Sequence, residues 1–147
     1  MQQSNSVIDC FDGDYAFLSN FYPCRIVYDG IEYQNSEAAF QAQKTLDIDI
    51  RKNKFSNATP KDAKRLGRKI DLRPDWNDIR VDIMRNIVNA KFTQNPDLMN
   101  KLLETNDAEL LEGNWWKDTF WGICNGEGEN NLGKILMEIR DKYKKRG

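Results

Sequence analysis

Histidine is absent from this 147-residue chain. That absence excludes Ser-His-Asp and Cys-His catalysis, the HExxH zinc site and the facial-triad iron site together. Cysteine is scarce: Cys10, Cys24 and Cys124 are odd in number, widely spaced and contain no CxxC pair, which argues against a disulfide framework or a transition-metal site. No run approaches the roughly 18 apolar residues of a membrane span, and the polar opening Met1-Gln-Gln-Ser-Asn-Ser6 does not read as a signal peptide. Nor is there an excess of one charge, since 22 basic residues meet 23 acidic ones; no global basic field announces nucleic acid or a membrane. Prolines number four, and no repeat, low-complexity tract or linker is visible. The expectation is one domain over residues 1–147, a cytoplasmic monomer with no metal, cofactor or membrane partner. Any acid–base chemistry must come from Asp, Glu, Lys, Tyr or Cys.

What is present reads as a compact, mostly helical α+β domain with a small antiparallel β element. Val7 to Phe11 and Arg25 to Tyr33 read as strands, and Asp29-Gly30 between Ile26-Val27-Tyr28 and Ile31-Glu32-Tyr33 predicts a hairpin. Asn35 or Ser36 caps a first helix, Pro60 opens a second over 60–69, and Pro74-Asp75 precedes a third that repeats Ile79, Ile83, Ile87 and Ala90. A short helix follows from Pro96 to Leu103. Leu110 to Leu111 and Phe120 to Ile123 read as strands. The last helix carries Leu132, Ile135, Leu136, Ile139 and Tyr143 on one face, then a Lys-Lys-Arg tail.

The most informative stretch is Asn35-Ser-Glu-Ala-Ala-Phe-Gln-Ala-Gln-Lys44. At helical spacing Glu37, Gln41 and Lys44 share one stripe about 10 Å long. An acid beside an amine suits proton transfer, although a solvated face with a carboxylate at the positive end of the helix has the same pattern. Asn125-Gly-Glu-Gly-Glu-Asn-Asn-Leu-Gly133 runs into the last helix and suits either a plain turn or a phosphate cradle. With Asn131 in the third glycine position and no GKS/T, it is neither a dinucleotide fingerprint nor a P-loop. Residues 61–73 hold six basic side chains against two acidic ones, which suits a solvated surface or a phosphate-binding patch. Of four tryptophans, Trp76 lies at a helix entrance between Asp75 and Asn77, where a ring could stack on a flat heterocycle.

Taken in order, Phe17-Leu-Ser-Asn-Phe21, Ser36-Glu37, Phe40-Gln-Ala-Gln-Lys44, Leu66-Gly-Arg68, Asp75-Trp76, Met84-Arg85, Ala90-Lys-Phe92, Asp118-Thr-Phe-Trp-Gly122, Gly126-x-Gly128-x-Asn130-x-Leu132-Gly133 and Leu136-Met-Glu-Ile-Arg140 resemble the NADAR family of YbiA-like N-glycosidases. The likeness runs from about residue 9 to 143. It implies hydrolysis of a bond between ribose and an amino nitrogen. The favoured substrate is ADP-ribosylated guanine, as nucleoside or in nucleic acid; the alternatives are ribosylamino-pyrimidine phosphates of riboflavin biosynthesis or a non-catalytic ADP-ribose-binding role. The family's acid, lysine, tryptophan and aspartate fall on Glu37, Lys44, Trp76 and Asp118, which makes Glu37, Lys44 and Asp118 the expected catalytic group. Asn20, Phe21, Gln41, Arg68, Trp76, Trp121, Gly122, Gly126, Gly128 and Asn130 are the expected substrate contacts, with Trp76 stacking on the base and Asn20 and Gln41 holding ribose hydroxyls.

Two departures from the family pattern stand out: Glu127 and Glu129 between the glycines, where relatives carry basic residues, and Ile123-Cys124 where an Asp-Gly follows Trp-Gly. A phosphate at that loop would therefore draw on backbone N–H groups, Arg68 or Lys91. Two mechanisms fit. In one, ribose ring opening gives an imine that Lys44 captures as a Schiff base. In the other, Glu37 and Asp118 divide acid and base roles in direct hydrolysis while Lys44 only binds.

Overall fold

The computed structural model describes residues 6–145; residues 1–5, on which the leader reading rests, and residues 146–147 of the basic tail lie outside the described part. Two compact units form among the described residues, one from residues 20–96 and the other from residues 6–19 with 97–145.

The 20–96 unit is built on a hairpin. β2 (Pro23–Tyr28) pairs antiparallel with β3 (Ile31–Asn35), Ile26 opposite Tyr33 and Tyr28 opposite Ile31. The turn is Asp29-Gly30, and both residues have positive φ, 51° and 81°, the conformation that a two-residue hairpin demands and glycine adopts without strain. β3 alternates strictly, with Ile31, Tyr33 and Asn35 buried and Glu32 and Gln34 exposed. α1 (Ser36–Ala42) follows without a loop, because Asn35 ends the strand and caps the helix, its side chain accepting from Ala38 N–H at 2.7 Å.

A segment not expected from the sequence comes next. α2 (Ile48–Ile50), capped by Asp47, runs into a π turn over Arg51–Phe55 that buries Arg51 and Phe55. α3 (Pro60–Gly67) starts as the Thr59-Pro60 pair predicts, with proline in the first turn and the Thr59 hydroxyl accepting from Asp62 N–H. α4 (Trp76–Gln94) buries Trp76, Ile83, Met84, Ile87, Val88, Lys91 and Phe92. Its last residue covers the hairpin: the Gln94 amide accepts from Val27 N–H at 2.8 Å and donates to Val27 C=O at 2.9 Å.

In the other unit a 3-10 helix (Gly13–Leu18), α5 (Pro96–Glu104) and α6 (Asn131–Lys144) accompany a two-residue parallel pairing of β1 (Val7–Ile8) with β4 (Glu109–Leu110). The chain is α+β as expected, but its strands make two separate pairs, one of them parallel. β1 is shorter than the Val7–Phe11 run suggested. Phe120 to Ile123 is no regular strand: it makes one bridge, Gly113 with Ile123, and its carbonyls serve the chain entering α6 instead.

Lys91 is the unusual member of the core. It is 1% exposed, with its ammonium 5.2 Å from the Phe92 ring centroid and 5.9 Å from that of Tyr22. Burial pushes its pKa down to about 8, against a smaller upward pull from Cys24. A group this enclosed does not offer its charge to a phosphate at the surface, which removes Lys91 from the phosphate-binding options. Between pH 8 and the ordinary lysine value of 10.5 the folded chain binds fewer protons here than the unfolded chain, so this residue makes stability rise with pH over that window. Lys91→Met should therefore raise the urea midpoint at pH 7, and the gain should shrink as pH rises towards 10. A lowered midpoint at pH 7 would contradict the burial cost assigned here.

Candidate active site

All seven residues of α1 are buried, including Glu37 and Gln41. Those two side chains are thus not the solvated face that their spacing also allowed. Glu37 is 9% exposed, and its Oε2 accepts from Gln41 Nε2 at 2.7 Å. A buried carboxylate is unfavourable unless a hydrogen bond holds it; Gln41 supplies one, and further bonds fix the backbone that carries it. The N–H of Glu37 donates to the carbonyl of Asn20 at 3.0 Å, and the Ser36 hydroxyl donates to Asn20 Oδ1 at 3.0 Å. Asn20 is itself buried, with Nδ2 directed at the sulfur of Met84. Its side chain braces the start of α1 and so fixes Glu37, a different task from the ribose contact expected of it.

Lys44 lies just beyond the helix, where Gln43 and Lys44 continue the turn through 3-10-type bonds; Lys44 N–H donates to Gln41 C=O at 3.2 Å. The residue is half-buried. Burial lowers its pKa most, the nearby Glu37 carboxylate raises it, and the Arg68 guanidinium lowers it. The acid of α1 and one cation of the 61–73 stretch thus both act on this amine. Arg68 is the residue after α3, whose buried Ala63 and Gly67 lie on one side while Lys61, Arg65, Arg68 and Lys69 stay exposed.

Gln41 is held between Glu37 and α3. Its Oε1 is buried without a hydrogen-bond partner, and a Cβ at Gly67 would lie 2.8 Å from Gln41 Cδ. No side chain fits at 67 unless the amide moves. Trp76 is 4% exposed and packs on Phe40 with ring centroids 5.0 Å apart and planes at 51°; its indole is a wall of the core beneath α1, not the open stacking surface expected. Phe21, 46% exposed, is the aromatic that this unit presents to solvent beside Asn20.

The remaining expected residues belong to the other unit. Asp118 closes a turn: its Oδ1 accepts from Phe120 N–H at 3.1 Å and Trp121 N–H at 2.9 Å. Trp121 is edge-on to Phe120 at 4.8 Å. Gly122 fits tightly, with a Cβ there meeting Asn114 Nδ2 at 2.8 Å. The Gly126–Gly128 turn is exposed and is closed by two Cys124–Glu127 backbone bonds. The amides of Glu129, Asn130, Asn131 and Leu132 donate to the carbonyls of Thr119, Gly122, Phe120 and Trp121 respectively. A phosphate cradle at the start of α6 would need those same N–H groups, so the turn reading holds and the cradle reading does not. Asn130 is buried, accepting from Glu112 N–H and donating to Leu110 C=O, both at 2.9 Å. Its amide ties the start of α6 to the 110–112 segment. Among the described residues no group of three Cys, Asp or Glu side chains is arranged to hold a metal ion.

Comparison with known proteins shows the family. The family model of the NADAR domain matches residues 10–144. The chain belongs to the NADAR family. Among its NADAR relatives, N-glycosidase YbiA of Escherichia coli K12 is 39% identical over 132 residues, covering 88% of this chain and 82% of YbiA. An N-glycosidase of Nostoc punctiforme is 38% identical, covering 88% and 86%. A riboflavin biosynthesis protein of Vibrio vulnificus is 43% identical over 134 residues, but the chain spans only 36% of that protein. The NMR structure of E. coli YbiA superposes with a TM-score of 0.84 at 35% identity, covering 98% of this chain and 89% of YbiA. N-glycosidase activity is thus the activity of the NADAR proteins that this chain matches over most of their length.

Sequence reasoning passed over two positioning residues, Ser36 and Gly67. A glycine in the last turn of a helix, followed at once by a cation, is the signal that could have pointed to Gly67. Gly67→Ala should leave the circular dichroism spectrum unchanged while lowering kcat by roughly tenfold to a hundredfold, because the displaced amide releases Glu37. Full activity in this variant would show that the Gln41 contact is dispensable.

Proposed function

We propose that the chain hydrolyses the bond between ribose and an amino nitrogen, with ADP-ribosylated guanine as its substrate class. The observation that carries the reaction type is a buried carboxylate, Glu37, and a half-buried amine, Lys44, on one short helix and its last turn, close enough for the carboxylate and Arg68 to act on the amine's charge. A sugar bonded to an amino nitrogen can open its ring. Proton transfer to the ring oxygen leaves an iminium at the anomeric carbon, to which a neutral lysine adds. The base nitrogen then departs with a proton, and water releases the Lys44 imine as the free sugar. Burial and Arg68 favour the neutral amine this route requires, while Glu37 is the adjacent group able to move the protons.

The substrate class rests on α3. Lys61, Lys64, Arg65, Arg68 and Lys69 span about 12 Å along α3 and the turn after it, with Arg68 acting on the Lys44 amine; that is a longer cationic stretch than one monophosphate requires and one suited to a pyrophosphate or a polynucleotide. A second reading, hydrolysis of a ribosylamino-pyrimidine phosphate, is favoured by the name of the Vibrio relative. Side-by-side assays on ADP-ribosylated guanosine and on ribosylamino-pyrimidine phosphate separate the two: faster release from guanosine is expected, and turnover of the pyrimidine alone would reverse the assignment.

Three outcomes are expected for the chemistry. Glu37→Gln should lower kcat by about 10²–10⁴-fold. Borohydride added during turnover should attach ribose to Lys44; an active enzyme that gives no adduct would leave Lys44 a binding residue only. Because Arg68 lowers the Lys44 pKa, Arg68→Gln should raise it and move the acidic limb of the kcat profile to higher pH. An unmoved limb would mean that Lys44 is not the titrating nucleophile.

A further inference from the structure

One cleft of the 20–96 unit has no part in the chemistry above. It measures about 540 Å³, and Glu37, Gln41, Lys44 and Arg68 are not among its walls. Its apolar walls are Tyr28 at the end of β2, Leu46 and Ile48 at the entrance of α2, and Ile83 of α4. Its polar walls include two side chains that the fold withdraws from water: Arg51, carried inward by the π turn, is 4% exposed, and Gln43 is 2% exposed. The protein does not use these two groups fully. Arg51 gives Nε to Thr45 C=O and Nη1 to Asp29 Oδ2, both at 2.9 Å, and its Nη2 has no partner among the described residues. Gln43 gives Nε2 to Ala39 C=O at 3.0 Å, which leaves its Oε1 as the acceptor on that wall. The Tyr33 hydroxyl beneath them is fully buried and completes no hydrogen bond, with the Arg51 guanidinium and the Gln43 amide among its polar neighbours.

Withdrawn polar groups with bonds left unmade cost free energy. This cleft therefore gains from a ligand that brings an acceptor to Arg51 and a donor to Gln43. Charge narrows the class. Arg51 is paired with Asp29, and Arg73, the other cation in the wall, holds Asp75 through Nε at 2.7 Å and Nη2 at 3.1 Å and gives Nη1 to Gln43 C=O. Each guanidinium already has its own carboxylate, so an anion gains no net attraction here and a cation finds no unpaired acid. An uncharged ring with an amide edge satisfies the cleft: its carbonyl suits Arg51, its N–H suits Gln43, and its body suits Tyr28, Leu46, Ile48 and Ile83. A rigid ring also holds carbonyl and N–H side by side with no ordering cost. We propose that this cleft binds an uncharged nucleobase or nucleoside by its ring-amide edge. The site is separate from the hydrolytic one, and its failure would leave the reading of Glu37 and Lys44 untouched.

The test is a titration of the full chain, labelled at its isoleucine methyl groups, with uracil followed by NMR. The Ile48 and Ile83 signals should shift saturably in the millimolar range, the reach of so small a ligand, with fully buried Ile26 as the internal standard. Uridine should bind at least as well. Unsubstituted pyrimidine, the same ring without the amide edge, should bind at least about tenfold more weakly, and benzoate, with a carboxylate in its place, should also bind more weakly than uracil. Ile48→Asp, at a half-exposed position that folding does not depend on, should weaken uracil binding at least about fivefold. Arg51→Gln should weaken it about tenfold; should that variant not fold, Ile48→Asp and the ligand series still decide. No saturable shift at the solubility limit of uracil, equal binding of pyrimidine, tighter binding of benzoate, or unchanged affinity in Ile48→Asp would each overturn the proposal.

Discussion

A carboxylate buried in a seven-residue helix is the constraint around which the 20–96 unit is arranged. Glu37 is largely withdrawn from water, so the fold supplies much of what water would. Gln41 donates to it from one turn ahead, Asn20 anchors its backbone, and Ser36 locks Asn20 in place. Each of these contacts restricts the rotamers of the next. The arrangement is costly as a stability device, since an apolar residue at position 37 would need none of it. It is readily understood as the holding of one proton-transfer group in one orientation.

Lys44 completes that logic by lying where three influences meet. Burial and Arg68 favour the neutral amine, and Glu37 favours the ammonium. A lowered pKa makes the neutral nucleophile that imine formation needs more accessible, and the adjacent carboxylate can move the protons. Trp76, Phe40 and Gly67 contribute as walls: the two rings fill the space beneath α1, and the missing side chain at 67 leaves room for the Gln41 amide.

Much of this was legible from residues alone, for identifiable reasons. The Asp29-Gly30 hairpin, the Asn35 cap and Pro60 at the start of α3 are local signals whose geometry is fixed within four residues, and each formed. The stripe of Glu37, Gln41 and Lys44 was visible at helical spacing, but its burial was not, because an acid and an amide on a helix carry no sign of what will cover them. The α2 segment and the π turn were invisible for a related reason: residues 45–58 lack an amphipathic period, and the turn is held by Asp47 and by the burial of Arg51, which donates to Thr45 C=O and pairs with Asp29. The glycine-rich loop misled because its composition suits a ligand cradle and a docked turn equally; the partners of its amides, ten or so residues back in the chain, decide between them. Trp76 misled likewise, since position at a helix entrance does not say which way the ring turns.

The central claim is that Glu37 and Lys44 share one environment, in which the carboxylate acts on the protonation of the amine. Site-resolved NMR titration of the Lys44 amine, in the native chain and in Glu37→Gln, tests it directly. The account predicts titration below the ordinary lysine value of 10.5 in the native chain, and lower again once the carboxylate that favours the ammonium is removed. A Lys44 amine that titrates at 10.5 or above, or one indifferent to the loss of the Glu37 charge, would contradict it.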